Sequence, residues 1–185
     1  LNKIIEELIN KEILLEVFTS LKTYYHKRTK LDAEYTGSID KGDISRSISR
    51  IIENKLKTFL EERYDLSITA ASSNETLPDL NIDGVNLSLE IKVSTTNNYW
   101  QGGKNCNRKS GHHLCVYWEN ELDTFFACLV LLKDDDWKLG KGHSNARTYF
   151  YVKTLNSLPK ENYKIIFGTT TVSKRNKHKV IPERI

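Results

Sequence analysis

Leu87, Leu89, Ile91 and Val93 alternate with Asn86, Ser88, Glu90 and Lys92. A period of two puts one set of side chains against a core and the other on the opposite face. The stretch therefore reads as a half-buried strand and not as a helix, whose period is 3.6. Before it, Leu77 to Ile82 is a second strand-like run, separated from the first by Asp83-Gly84. Glycine takes positive φ without steric cost, so this dipeptide fits a tight hairpin turn. On the first run Asp79, Asn81 and Asp83 share one face, with Leu80 and Ile82 on the other. A hairpin register can then bring Asp79 beside Glu90, on the face that also carries Lys92. Two carboxylates and an ammonium converge.

Two hard carboxylate oxygens suit Mg²⁺, which keeps several waters and commonly binds through one or two carboxylates plus a substrate phosphate. Such an ion lowers the pKa of a bound water and neutralises charge building on a phosphoryl oxygen. Lys92 would stand within reach of that water. The structural alternative is a surface strand whose Glu90 and Lys92 form an exposed pair worth under ~1 kcal/mol.

These residues resemble the PD-(D/E)xK nucleases, the superfamily that includes most type II restriction endonucleases. Pro78-Asp79 resembles the PD element and Glu90-Ile91-Lys92 the (D/E)xK element. The resemblance implies an α/β fold with a restriction-endonuclease-like mixed central sheet flanked by helices. It implies Asp79 and Glu90 as ligands of Mg²⁺, the carbonyl of Ile91 as a further ligand, and Lys92 as the catalytic lysine. It also implies double-stranded DNA as substrate, hydrolysed at a short specific sequence to 5′-phosphate and 3′-hydroxyl ends. A homodimer would cut both strands of a palindrome, since two-fold protein symmetry mirrors two-fold site symmetry. The alternatives are a repair or junction-resolving nuclease, an RNA-cleaving toxin, or a nucleic-acid-binding module without activity.

Composition is compatible with this. The 185 residues suit a single nuclease domain, 1–185, and a net charge of +4 with pI near 8.8 permits a polyanionic partner without demanding one. Distribution says more than the total: no Asp or Glu occurs from Ile91 to Trp118, whereas Lys92, Lys104, Arg108 and Lys109 do. No apolar run approaches the ~20 residues that span a bilayer, and no signal-peptide pattern is present, so a cytoplasmic protein is expected. Cys106, Cys115 and Cys128 are an odd number without paired CxxC spacing, which reads as reduced thiols. Cys106 with His112 and His113 has no recognised zinc-site spacing.

Taken in order, about Asn2 to Tyr25 carries an apolar stripe of helical period, for packing on its own domain or for dimerisation. Tyr25 to Gly42 reads as a polar connection. A second helix is expected from about Asp43 to Tyr64, with Ile48, Ile52, Leu56 and Leu60 on its buried face. Glu53 sits at the margin of that face. In the resembled family a helix before the active-site strands often supplies an acidic residue to the metal site, and Glu53 matches it; otherwise it pairs with Lys57 at i,i+4. Leu66 to Ala71 reads as a strand.

The stretch after Ser94 is the expected nucleic-acid contact. Lys104, Arg108 and Lys109 can pair with phosphates, Gln101, Asn105 and Asn107 can read base edges, and Tyr99 and Trp100 can stack or wedge. His113 is a candidate phosphate contact, against a packed structural role. Family members usually place a helix after the (D/E)xK strand, and no amphipathic helix is visible here. Leu114 to Trp118, Thr124 to Leu132, Arg147 to Lys153 and Tyr163 to Phe167 read as strands, and Asp134 to Asp136 as a solvated turn. Near the end Lys174, Arg175 and Lys177 form a basic cluster, either a phosphate contact or a solvated tail.

Overall fold

The computed structural model describes residues 1–35, 41–70, 78–102, 110–140 and 147–185. Three helices come first: α1 (Lys3–Leu8), α2 (Lys11–Tyr35) and α3 (Lys41–Tyr64). The single early helix expected from the apolar stripe is thus broken after Leu8. Asn10 Oδ1 accepts the N–H of Ile13 and caps the new start. The helix expected to end at Tyr25 runs on to Tyr35. Burial ends at Tyr25, but the following residues are strong helix formers, and Arg28 donates to both carboxylate oxygens of Asp32 one turn on.

Strands follow: β1 (Ile68–Ala70), β2 (Leu80–Ile82), β3 (Leu87–Ser94), β4 (Tyr99–Gln101), β5 (Gly111–Glu119), β6 (Thr124–Leu132), β7 (Lys138–Leu139) and β8 (Thr148–Tyr151). A single helical turn, α4 (Val152–Leu155), leads to β9 (Tyr163–Phe167), β10 (Thr169–Val172), β11 (His178–Ile181) and β12 (Glu183–Arg184). The main sheet has the order β1-β2-β3-β5-β6-β12, with β9 also paired to β6. Its β3–β5 pair is parallel and its other pairs are antiparallel.

The hairpin at β2–β3 forms, with a longer turn than a two-residue Asp83-Gly84 link. Ile82 pairs with Leu87, leaving Asp83–Asn86 as the turn, with positive φ at Gly84 (80°) and Asn86 (49°). Asn tolerates the left-handed region because its short side chain can bond locally. The Asp83 carboxylate accepts hydrogen bonds from Ser67 Oγ and Thr69 Oγ1 of the neighbouring strand segment.

The period of two divides the layers. Leu89 and Ile91 of β3, with Leu114 and Val116 of β5, face α1–α3 in a cluster that includes Ile13, Phe18, Ile48, Ile52 and Leu56. Phe18 of α2 stacks on Phe125 of β6 at 4.1 Å, with ring planes 5° apart. The apolar stripe of the first two helices is therefore covered by the protein's own sheet.

The other face of the sheet carries Cys115, Tyr117, Phe126, Cys128 and Val130, packed with Trp100, Trp137 and Phe150. These last three belong to a small antiparallel sheet, β4-β8-β7, and its adjoining turn. Helices thus lie on one side of the main sheet and a second sheet on the other, where flanking helices were expected. The reason lies between β3 and β5. A parallel pair needs a long crossover. This one lacks apolar residues at helical spacing, and its described part forms β4.

Leu89 is fully buried between β2 and α3 at the centre of this arrangement. Leu89→Ala should cost about 2 to 5 kcal/mol, the usual range for a buried leucine. Urea unfolding monitored by circular dichroism measures it, and a loss below about 1 kcal/mol would contradict the packing described.

Candidate active site

The register of the hairpin positions the first carboxylate. Leu80 pairs with Leu89, so Asp79, one residue before β2, lies opposite Glu90. Here the β2 ladder stops and leaves backbone donors of β3 needing partners. Asp79 supplies one, its Oδ2 accepting the N–H of Ile91 at 2.6 Å. That bond orients the carboxylate against the middle of β3.

Glu90 and Lys92 project from the face of β3 opposite Leu89 and Ile91. Their neighbours on β5, in the parallel register, are His113 and Cys115. Glu90 is buried, with 4% of its surface exposed, and the Lys92 ammonium forms an ion pair with Glu90 Oε1. An ionised carboxylate is tolerated at this depth only with such a partner.

Helix α3 packs against β1 and β3 and brings in Glu53. Ser49, one turn earlier, donates its hydroxyl to Glu53 Oε1 at 3.1 Å. The Glu53 carboxyl is pushed up to about 6 from 4.5. Burial is the largest cause and the negative charge of Asp79 the next; Glu90 also raises it, while Ser49 and Arg50 act the other way. Three acidic groups therefore feel one another, with the Lys92 ammonium paired to one of them. Lys57 pairs instead with Glu61, at 3.6 Å, which removes the i,i+4 alternative for Glu53. Ser49 was missed in the sequence; its signal was its position four residues before Glu53.

The donor set fits a hard divalent cation, because carboxylate oxygens are its preferred ligands and the Glu53 pKa, raised first by burial and then by the charges of Asp79 and Glu90, reflects a cost that a cation would relieve. Among the described residues no group of three or more His, Cys, Asp or Glu side chains is assembled as a metal cage. The fit is accordingly to an ion that takes one or two carboxylates and keeps most of its waters, as Mg²⁺ does. Ile91 is seen to engage Asp79 through its N–H.

Two residues expected at a nucleic-acid surface are in the core. Trp100 is 1% exposed, donates Nε1–H to the carbonyl of Val116 at 2.9 Å, and packs against Phe126 and Phe150. Alternation of β4 turns it inward, where its large apolar ring fills the space between the two sheets. His113 is fully buried, with Nδ1 3.0 Å from the carbonyl of Gly111 and its ring against Trp137. It cannot reach a phosphate.

Gln101 is half-buried in β4 opposite Tyr149. Lys104, Asn105, Asn107, Arg108 and Lys109, together with Cys106, lie outside the described residues. Lys174, Arg175 and Lys177 are exposed on the turn that joins β10 to β11, so the basic segment is a hairpin and not a tail. Cys115 and Cys128 are buried free thiols opposite each other on β5 and β6, and burial pushes the Cys128 thiol up. The Asp134–Asp136 cluster forms the expected turn, with Asp136 accepting from the N–H of Lys133.

Because folding raises the Glu53 pKa, the folded state holds that proton more tightly than the unfolded chain between about pH 4.5 and 6. Its contribution is complete below about 4.5 and is lost as pH rises through about 6. Glu53→Gln keeps an acceptor for Ser49 and removes the charge. It should match the wild type at pH 4 and exceed it by on the order of 1 kcal/mol at pH 7, after allowance for solvent screening. Denaturant unfolding across this range tests it, and parallel pH profiles for the two proteins would refute it. No protein-family model matches the sequence, and no curated protein matches it.

Proposed function

We propose that the protein is a Mg²⁺-dependent type II site-specific deoxyribonuclease built on a restriction-endonuclease-like fold, acting on duplex DNA as a homodimer. The observation that carries this reading is the gathering of Asp79, Glu90 and Lys92 at one position on β3, with Glu53 close enough for its proton affinity to respond. A purely structural sheet has no use for a buried glutamate whose charge burdens its neighbours. A carboxyl whose proton affinity is raised by burial and by neighbouring carboxylates, as at Glu53, is a feature of many functional sites.

In this mechanism Asp79 and Glu90 would hold the ion, with the Ile91 carbonyl as a further oxygen. Mg²⁺ bound there supplies Lewis-acid chemistry, acidifying a water and neutralising charge on a phosphoryl oxygen. The chain's own part is positional. Ile91 fixes the Asp79 carboxylate through its N–H. Lys92, paired to Glu90 on the same face of β3, would orient the attacking water beside the scissile phosphate. Glu53, steadied by Ser49, would support the ion or its waters.

A plasmid digestion with Mg²⁺, and again with chelator, tests the reaction. Lys92→Ala should lower the cleavage rate by at least ~10²-fold, on the scale of a lost acid–base or electrostatic group, with DNA binding retained within a few-fold. Discrete plasmid fragments support site-specific cutting. Cleavage confined to branched DNA or to RNA refutes it, and no cleavage of any of these substrates leaves a binding module.

A further inference from the structure

A cavity of about 640 Å³ opens where β3 ends. Its floor is the Thr95–Asn98 loop, and its walls come from the α4 region at Tyr151 and Lys153 and from the β10–β11 turn at Asn176–Lys179. Tyr117 closes the inner side. Tyr117 pairs with Ser94 in the parallel register, just as Cys115 pairs with Lys92 and His113 with Glu90. All of these side chains share one face of the sheet. The cavity therefore opens on the same side of the main sheet as Glu90 and Lys92, its near edge ~13 Å along the strand from Glu90 at ~3.3 Å per residue, with the β4-β8-β7 sheet packed over that side.

Its chemistry is one-sided. Lys153, Lys177 and Lys179 contribute cations, no Asp or Glu is among the lining residues, and Asn97, Asn98 and Asn176 contribute amides. Lysines suit phosphate oxygens and asparagines suit base edges. Tyr151 presents a ring held in place by Tyr99 and Tyr149, at centroid distances of 5.9 and 6.1 Å.

The walls are also pre-set. The carbonyl of Asn97 accepts the N–H of Val180 at 2.8 Å and that of Asn98 accepts the N–H of Val152 at 3.0 Å, tying the floor to both walls. His178 lies between Asn156 and Asn176, with ring nitrogens 3.0 and 3.2 Å from their amides. A site braced in this way binds without first ordering its own loops.

We infer that this cavity takes a phosphate-bearing nucleotide unit of the nucleic-acid strand lying across β3. Lys153 and Lys179 grip the backbone, and the asparagine amides and Tyr151 face the base. The inference rests on the nuclease reading for what lies beside it. Duplex DNA advances ~3.4 Å per base pair along its axis, so the contact falls about four steps from the phosphate at Glu90.

The test measures binding of a short fluorescent duplex of mixed sequence, with Ca²⁺ in place of Mg²⁺, between about 50 and 200 mM salt. The double variant Lys153→Ala/Lys179→Ala should bind about tenfold more weakly, with the slope of log K against log salt shallower by about 1 to 2. Asn98→Asp, which adds a carboxylate at the floor and removes no lysine, should weaken binding in the same direction. Lys30→Ala on the exposed part of α2 is the control. If the cavity variants behave like that control, the inference is overturned. If AMP binds the wild type but not the double variant while duplex binding is unchanged, the cavity is a free-nucleotide site and the inference is again overturned. A weakened, shallower profile in a protein that cuts nothing in Mg²⁺ sinks the nuclease reading and upholds the cavity as a nucleic-acid site. Retained cleavage with no change in slope does the reverse.

Discussion

Leu87–Ser94 is hydrogen-bonded on both edges, antiparallel to β2 and parallel to β5, and each of its faces belongs to a different layer. Leu89 and Ile91 anchor the helices, while Glu90, Lys92 and Ser94 occupy the opposite face. A slip of one residue would exchange these sets, burying Glu90 and Lys92 among the helices. The hydrophobic demand of the helix-facing layer thus holds the polar cluster in register. Asp79 completes the arrangement because β2 ends where it does, and its carboxylate takes over a backbone donor that the ladder no longer serves.

The charge balance at this point is uneven. Lys92 compensates Glu90 at close range, and Asp79 is held by a backbone N–H, but Glu53 is half-buried against both carboxylates and holds its proton to about pH 6. Removing the charge would favour the fold, so the protein carries an energetic cost at this site. Such a cost is the usual mark of a group retained for its chemistry, and a divalent cation is the ligand class that would offset it. On the same side of the sheet lies a cavity whose lining includes three lysines and no carboxylate, in contrast to the acidic cluster at Glu90.

Much of this was legible in the residues. The alternation around Glu90 gave its strand and its facing, the Asp83-Gly84 pair located the turn, and apolar spacing located the helices. The failures share a cause. Trp100 and His113 sit in a segment rich in polar residues, which argued for a surface, yet their burial depends on β4 and β8 folding back over the main sheet. That is a long-range pairing with no local signature. The run of α2 beyond Tyr25 has the polar composition of a connection, yet past that point propensity and the Arg28–Asp32 pair sustain the helix without burial.

The sequence by itself determined which side chains share a strand face, because the two-residue period is a property of the extended backbone and needs no partner. It also placed two acids and a lysine on one hairpin, but the four-residue turn Asp83–Asn86 set Asp79 opposite Glu90, where a two-residue Asp83-Gly84 turn would have set it opposite Ser88. Only the tertiary structure decided that Glu53 approaches them, that a second sheet covers the far face, and that three separated segments enclose a basic cavity. Those outcomes depend on how layers pack at a distance, where the free energy belongs to contacts between segments far apart in the chain.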